Sequence, residues 1–238
     1  MDFAIIAAGE GSRLAKSGYP YPKPLAQLQG TPLIERLITI FNTCGADKIH
    51  IIINEASETL SEYLAIHFPD YPIRLVKQTT PSSLHSFYEL IKDAGPLEAL
   101  CVTTVDTIFK EDEFVRYLEA FRTNSTLDAL MAVTPYVEDE SPLYIETDPE
   151  DFITAFADQR TNTQQVLVSG GIYALRKKAL RCVEKAIGLR IERMRNYQRM
   201  LLEEHLAVKA FIFDKIMDID HLTDLQSAED WLNEMKVS

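Results

Sequence analysis

A loop with two glycines follows the first apolar run of the chain, and it constrains the fold more than any other feature. Residues 3–8 are apolar throughout, which predicts a buried strand. Gly9 and Gly11 follow and free the backbone from the constraints of a Cβ atom. Such a loop can fold around an anion and direct several backbone N–H groups at it. Arg13 adds a planar set of donors suited to phosphate oxygens, so the stretch predicts a phosphate-binding turn at a strand end.

Lys23 is a second cation close to this loop in the sequence, and the prolines on either side of it stiffen its backbone. The plainest alternative for the two glycines is a turn between a strand and a helix. A dinucleotide-binding loop would need a third glycine where Leu14 stands. A Walker A loop would need Gly-Lys-Ser or Gly-Lys-Thr, which this stretch lacks. The loop and Lys23 together favour a polyphosphate ligand.

The pattern Ala-Ala-Gly-x-Gly-Ser-Arg-Leu at 7–14, followed by Pro-Lys-Pro-Leu at 22–25, resembles the signature of the nucleotidyltransferase family. This family comprises NTP transferases and sugar-phosphate pyrophosphorylases with a GT-A-like fold. Its glycine loop wraps the nucleotide, while an arginine and a lysine hold the phosphates. The resemblance implies catalytic roles for Arg13 and Lys23. It also implies nucleotide contacts at further residues of the loop: Ala7, Ala8, Gly9, Gly11 and Ser12.

Segments with helical spacing alternate with apolar, strand-like segments early in the chain. They are a helix over 31–45, a strand over 48–53, a helix over 57–68 and a strand over 73–76. The alternation predicts an α/β fold with a doubly wound, mostly parallel sheet, Rossmann-like and of the GT-A type. We expect one nucleotidyltransferase domain over 1–238, with a small antiparallel excursion over the acceptor pocket in the polar stretch 136–165.

Polar residues at strand ends are the next candidates, because ligands of doubly wound sheets bind beyond the carboxyl ends of the strands. Gln78 follows the third strand, and its amide can pair with a nucleobase edge. Ser82 and Ser83 come next, and each is by itself more typical of a helix cap. The family has a glutamine here, followed by a Gly-Thr-like pair. The resemblance therefore implies base contact by Gln78, with a weaker nucleotide-binding role for Ser83.

Three aspartates are candidates for binding Mg²⁺. Asp106 ends the fourth strand, where it could cap a turn or hold the metal beside the nucleotide phosphates. Asp218 and Asp220 precede the last helix, and strand ends that open on one crevice can bring such carboxylates together. We expect Asp106 and Asp220 as ligands, with Asp218 as the other choice for the second one. Asp220 could instead be the N-cap of the last helix.

The acceptor region departs from the family pattern. The strand over 166–175 contains two glycines, and the family has a similar Gly-Ile-Tyr strand lining its acceptor site, which makes Gly171 a candidate. Many sugar-phosphate members have a Glu-Lys pair where this chain has Asp158 and Gln159. The chain therefore lacks a lysine that commonly faces the sugar phosphate. Asp158 stays an acceptor-binding candidate, and the acceptor remains open between a sugar 1-phosphate and a phosphate such as phosphocholine.

Composition limits the partners. A net charge of −12 argues against nucleic acid and anionic membranes, which attract positive surfaces. No apolar run approaches membrane-spanning length, and the N-terminal run lacks the basic lead of a signal peptide. The three cysteines are scattered singly, which favours a reducing cytoplasm. The base, the acceptor and the oligomeric state are not set by the sequence.

These observations predict an enzyme that joins an NTP to a sugar 1-phosphate, or a similar phosphomonoester, with release of pyrophosphate. Mg²⁺ is the expected cofactor. One alternative is a cytidylyltransferase for a small non-sugar phosphate, and another is guanylyl transfer to a molybdopterin-type phosphate. A third is a module that senses nucleotide without transfer, which the presence of Arg13, Lys23, Asp106 and Asp220 argues against.

Overall fold

The structure, a computed structural model, describes residues 1–9, 11–137, 140–160 and 166–237, without the side chains of 235–237. The strands are β1 (Asp2–Ala7), β2 (Gln27–Leu28), β3 (Thr31–Pro32), β4 (Ile49–Ile53), β5 (Ile73–Lys77), β6 (Ala99–Thr104), β7 (Thr107–Ile108), β8 (Ala129–Thr134), β9 (Tyr144–Thr147), β10 (Ile153–Ala157), β11 (Val168–Arg176), β12 (Val208–Ile212) and β13 (Met217–Asp218). The α-helices are α1 (Ser12–Lys16), α2 (Leu33–Thr43), α3 (Glu58–His67), α4 (Ser83–Ala94), α5 (Glu111–Thr123), α6 (Lys177–Gly188), α7 (Met194–Glu203) and α8 (Leu222–Val237). A short 3₁₀ turn covers Lys23–Leu25.

Nine of the strands form one sheet. Its order is β10-β9-β11-β6-β1-β4-β5, and β8 pairs with β11 and carries β12 on its other side. The strands β6, β1, β4 and β5 are parallel, as are β8 and β12. Strand β11 runs antiparallel to both β6 and β8 and joins these two parallel groups. The predicted α/β sheet with parallel strands at its centre is confirmed.

Helices cover both faces of this sheet, which explains the apolar run at the start of the chain. Along β1, Phe3 and Ile5 belong to one apolar cluster, which also contains residues of α2, α3, α5 and α8. The alternate residues Ala4 and Ile6 belong to a second cluster, which contains residues of α4, α6 and α7. Side chains of a strand alternate between the two faces, so a strand covered on both sides must be apolar at every position. No helix in the described part of the chain is long and apolar enough to cross a membrane.

One predicted segment differs in detail, and another agrees with its prediction. Helix α2 begins at Leu33, and Thr31–Pro32 forms a short strand against β2 instead of the first helical residues. Proline fits the end of this short strand because its missing N–H removes a ladder donor only there. In the polar stretch, β9 and β10 form the expected antiparallel pair, and β9 attaches it to β11. Residues 138–139 and 161–165 of that stretch lie outside the described residues.

Candidate active site

A first cavity of about 480 Å³ opens where β1 and β6 end. The glycine loop that follows β1 lines it on one side, and Asp106, just after β6, lines it on another. Predicted nucleotide-binding residues that line it are Ala7, Ala8, Gly9, Gly11, Ser12 and Ser83. Gln78 is not among its lining residues, whereas Thr79 and Thr80 are. The structure therefore brings most of the predicted nucleotide site together at one crevice, with the exception of Gln78.

Gly11 is needed at its position on two grounds. Its φ of +59° lies in the left-handed region that favours glycine. A Cβ atom at Gly11 would also lie 2.8 Å from Cβ of Lys23, so the loop and the Pro-Lys-Pro segment pack directly on each other. Helix α1 starts at the next residue, Ser12. Glu10 lies outside the described residues.

Four side chains form an ion network at the mouth of the first cavity: Arg13, Lys23, Asp106 and Asp220. Lys23 Nζ donates to Asp106 Oδ2, and it donates to Asp220 Oδ1 at 2.9 Å. Arg13 Nη1 donates to the other oxygen of Asp220, Oδ2, at 2.6 Å. Two cations and two carboxylates thus neutralise one another, although they come from positions up to 207 residues apart. Only 11% of the Lys23 side chain is exposed, so solvent screens its contact with Asp106 weakly, whereas Arg13 is 56% exposed and its pair with Asp220 is screened more strongly.

The charges of this ion network are mutually stabilised. Burial alone would lower the pKa of Lys23, but Asp106 and Asp220 more than offset it and raise that pKa above its usual value. Burial would likewise raise the pKa of Asp220, and Lys23 together with Arg13 brings it below the usual aspartate value. Both groups therefore stay charged at neutral pH, as the binding of phosphates and a metal would require.

Asp106 also has an unused oxygen, which bears on whether a metal fits here. Its Oδ1 atom is buried and has no hydrogen-bond partner among the described residues. A buried carboxylate oxygen without a partner is costly, and a hard cation would satisfy it. No group of three or more His, Cys, Asp or Glu side chains in the described segments is arranged to hold a metal alone. A metal on Asp106 and Asp220 would therefore need further oxygen ligands, which nucleotide phosphates provide.

Asp218 and Asp220 occupy different environments. Asp218 belongs to β13, opposite Thr107 of β7. Asp218 is exposed to solvent, although many protein atoms surround it. Partial loss of hydration is the larger cause that raises the pKa of Asp218 above the usual range, and the negative charge of Asp106 is the second cause. The first turn of α8 is capped by Asp224, whose Oδ2 accepts from the backbone N–H groups of Asp220 and His221 at 2.8 and 2.6 Å. The cap is therefore not the carboxylate of Asp220, which faces the two cations.

A second cavity of about 190 Å³ adjoins the first. The two cavities share Arg13 and Asp220, and Asp218 lines the second one. Ser169 and Gly170 of β11 line it on the side of the sheet. A ligand that extends from one cavity into the other would therefore pass the Arg13–Asp220 ion pair.

The two predicted acceptor residues do not line this second cavity. Gly171 has φ of +74° at a bulge of β11, and a Cβ atom there would lie 3.4 Å from Thr107 Oγ1, so the structure gives this glycine a conformational reason. Asp158 pairs with Arg195 at 2.7 Å and with Arg199 at 2.8 Å. These hydrogen bonds hold the pKa of Asp158 below its usual range. Contact of Gly171 and Asp158 with an acceptor stays a prediction.

The first cavity contains one strand-end residue that the sequence reasoning missed. Asn54 directly follows the buried strand β4 and lines the cavity. Its Oδ1 accepts from the backbone N–H of Ala56 at 2.9 Å and from Thr79 Oγ1 at 3.2 Å. A polar residue right after a buried strand was the signal used for Asp106, and the same signal applies to Asn54.

Comparison with known proteins identifies the family of the chain. Residues 3–187 match the family described as the MobA-like NTP transferase domain, so the chain belongs to that family. Enzymes of this family are nucleotidyltransferases, and they generally use a divalent metal ion.

Two curated relatives illustrate the range of this similarity. The bifunctional protein GlmU of Methanocaldococcus jannaschii is 27% identical over 188 residues, which cover 78% of this chain and 42% of that protein. The chain thus spans less than half the length of that relative. The D-glycero-alpha-D-manno-heptose 1-phosphate guanylyltransferase of Campylobacter jejuni is 22% identical over 237 residues, 97% of each chain.

Among solved structures, a putative glucose-1-phosphate thymidylyltransferase from Bacillus anthracis, in complex with a sucrose, superposes with a TM-score of 0.80. The identity is 18%, and the superposition covers 97% of this chain and 94% of that one. This likeness establishes a shared fold over nearly the whole of both chains.

Proposed function

We propose that the protein transfers a nucleotidyl group from an NTP to a sugar 1-phosphate, or a closely similar phosphomonoester, and releases pyrophosphate. The observation that carries this proposal is the pair of adjoining cavities that share Arg13 and Asp220. One cavity, with the glycine loop and Lys23, suits the nucleotide. The other has the size of a small acceptor. A C. jejuni relative that matches along 97% of its length is named as a sugar 1-phosphate guanylyltransferase, which supports the acceptor class.

In the proposed reaction, an oxygen of the acceptor phosphate attacks the α-phosphorus of the NTP, and the bond to pyrophosphate breaks. The protein contributes orientation and charge neutralisation, with no covalent intermediate. Arg13 and Lys23 would exchange their carboxylate partners for phosphate oxygens and stabilise the negative charge that develops on pyrophosphate. The backbone N–H groups of the glycine loop would hold the phosphates in place.

We propose Mg²⁺ as the metal and Asp106 with Asp220 as its protein ligands, with Asp218 as the other choice for the second ligand. Mg²⁺ prefers one or two carboxylates plus substrate phosphates, and the unpartnered Oδ1 of Asp106 fits this requirement. The metal would neutralise the charge of the nucleotide and acceptor phosphates. We also propose that Gln78 and Ser83 contact the nucleotide. The single domain and the cytoplasmic location stay predictions; the three cysteines are free, as a reducing compartment would keep them.

A pyrophosphate-release screen tests this function. Each of the four common NTPs is combined with a panel of sugar 1-phosphates and with phosphocholine, in the presence of Mg²⁺. We expect release for one NTP paired with a sugar 1-phosphate, and release slower on the order of 10²-fold or more for the Lys23→Ala variant. Release with phosphocholine alone would show that the acceptor is a small non-sugar phosphate instead of a sugar 1-phosphate. Nucleotide binding without release from any pair would favour the sensing module.

A further inference from the structure

The second cavity is lined by the hydroxyl group of Ser169, which buried side chains hold in place. Ser169 lines the cavity, and its backbone N–H donates to Leu143 O at 2.9 Å. Gln198 of α7 has 1% of its surface exposed, and its Nε2 atom donates a hydrogen bond to Ser169 Oγ at 3.2 Å. The buried side chain of Tyr173 lies beside Ser169 and Gln198.

The bulge in β11 creates this arrangement. Ser169 pairs with Val133 of β8 and Tyr173 pairs with Met131, so four steps along β11 correspond to two along β8. The extra length contains Gly170, where a Cβ atom would collide with the side chain of Ile216. The bulge brings Ser169 and Tyr173 within reach of one buried amide, a closer approach than regular strand spacing gives.

The polar network lies among apolar neighbours, so its hydrogen bonds are constrained. Tyr173 belongs to the same cluster as Met200 and Leu201, and buried polar groups in such surroundings must be paired. A serine hydroxyl has one donor and two acceptor positions. Among the described residues, Gln198 fills one acceptor position, which leaves the donor and one acceptor position of Ser169 for a ligand in the cavity that it lines.

We infer that Ser169 hydrogen-bonds a hydroxyl of the acceptor and thereby selects polyhydroxylated phosphates, with Gln198 as the residue that positions it. The inference rests on the proposed function in taking the second cavity as the acceptor site. A hydroxyl completes the hydrogen bonding of Ser169 and can serve as donor or acceptor. A trimethylammonium group cannot hydrogen-bond and would leave the remaining positions of the Ser169 hydroxyl unpaired after excluding water, which carries a desolvation penalty.

Calorimetric binding of hexose 1-phosphates and of phosphocholine tests the inference without requiring turnover. The wild type should bind at least one hexose 1-phosphate more tightly than phosphocholine. Ser169→Ala should weaken that binding by about tenfold, the usual size for one hydrogen bond, and leave phosphocholine unaffected. Gln198→Met, close in volume, should weaken it several-fold and add nothing in a Ser169→Ala background, because it acts through Ser169.

Tyr197→Phe is the matched control on the same helix. The Tyr197 hydroxyl donates to Ala179 O at 3.0 Å and is fully buried, so its loss should lower thermal stability without changing acceptor affinity. Equal hexose 1-phosphate affinity in wild type and Ser169→Ala would overturn the inference, and so would tighter binding of phosphocholine or no binding of any hexose 1-phosphate. Pyrophosphate release separates the two proposals. Binding that depends on Ser169 without any release refutes transfer alone, whereas release with binding independent of Ser169 refutes this inference alone.

Discussion

The two cavities meet at one ion pair, yet the side chains that fix their ligand-binding groups differ in kind. The first is dominated by full charges, and its ion network comes from loops and short helical turns scattered from Arg13 to Asp220. The second is fixed on its sheet side by neutral groups, where Gln198 donates a hydrogen bond to Ser169 and the buried Tyr173 packs beside both. Charge is suited to phosphates and metal, whereas directional hydrogen bonds are suited to the choice among uncharged groups.

The difference matters for the free energy of ligand binding. In the first cavity the cations already have carboxylate partners, so a metal and phosphates can enter by exchange of partners, and no charge has to be left unpaired. On the sheet side of the second cavity, the open positions belong to one hydroxyl, and a ligand there gains the free energy of a single hydrogen bond. We therefore expect substitutions in the first cavity to affect the rate strongly, and those in the second to affect acceptor choice by smaller factors.

The largest effect is expected from Asp106. Asp106→Ala should abolish Mg²⁺-dependent transfer, because it removes the carboxylate with the unpartnered buried oxygen. Asp220→Ala should do nearly the same. Pyrophosphate release over a range of Mg²⁺ concentrations measures this. Asp112→Ala, at an exposed carboxylate on α5, is the control and should behave as wild type.

Two outcomes would change this assignment. Full activity of Asp106→Ala with an unaltered Mg²⁺ requirement would remove Asp106 from the site. An Asp220→Ala variant that loses stability but keeps its activity would transfer the ligand role to Asp218.

The next effect concerns the cations of the ion network. Lys23→Ala and Arg13→Ala should each lower turnover on the order of 10²-fold or more, by analogy with loss of a positioned transition-state donor. Without nucleotide, Lys23→Met should bind Mn²⁺ more tightly than wild type, since the ammonium no longer occupies Asp106 and Asp220. Electron paramagnetic resonance of free Mn²⁺ reports this affinity. Lys92→Met, at an exposed lysine, controls for loss of surface charge. Unchanged turnover in both alanine variants, with normal thermal unfolding, would dismiss the phosphate-binding role.

A smaller effect is expected at Gln78, which borders the first cavity without lining it. If its amide reaches the base, Gln78→Ala should narrow the preference between the best and second-best NTP by about tenfold. Ratios of kcat/KM for the four NTPs measure this, and Gln226→Ala on the exposed side of α8 is the control. An unaltered preference would place base recognition with residues that line the cavity, such as Thr79 and Ser83.

The contrast between the cavities also explains what could be predicted from the sequence. The proximity of the glycine loop, Lys23 and Asp106 could be predicted because their motifs are specific and strand ends of such a sheet open on one crevice, and the structure brings these residues together. Ser169 and Gln198 were not found, since a serine in a strand and a glutamine in a helix are ordinary. Their relation depends on the β11 bulge and on the docking of α7, and a pattern of single residues does not contain either.

The smallest effect separates two roles for Asp158, as an acceptor ligand or as an anchor of the hairpin β9–β10. Its contacts with Arg195 and Arg199 favour the anchor. If Asp158 is an anchor, Asp158→Asn should leave the acceptor KM unchanged and lower Tm by about 1–2 °C, the size typical of exposed, salt-screened pairs.

The pKa of Asp158 is lowered in the folded state, so this stabilisation is present above the usual aspartate pKa and is lost as pH falls through the lowered value. The Tm difference between wild type and variant should therefore exist at pH 7 and vanish in strong acid. An increase in acceptor KM with an unchanged Tm would instead restore Asp158 to the acceptor site.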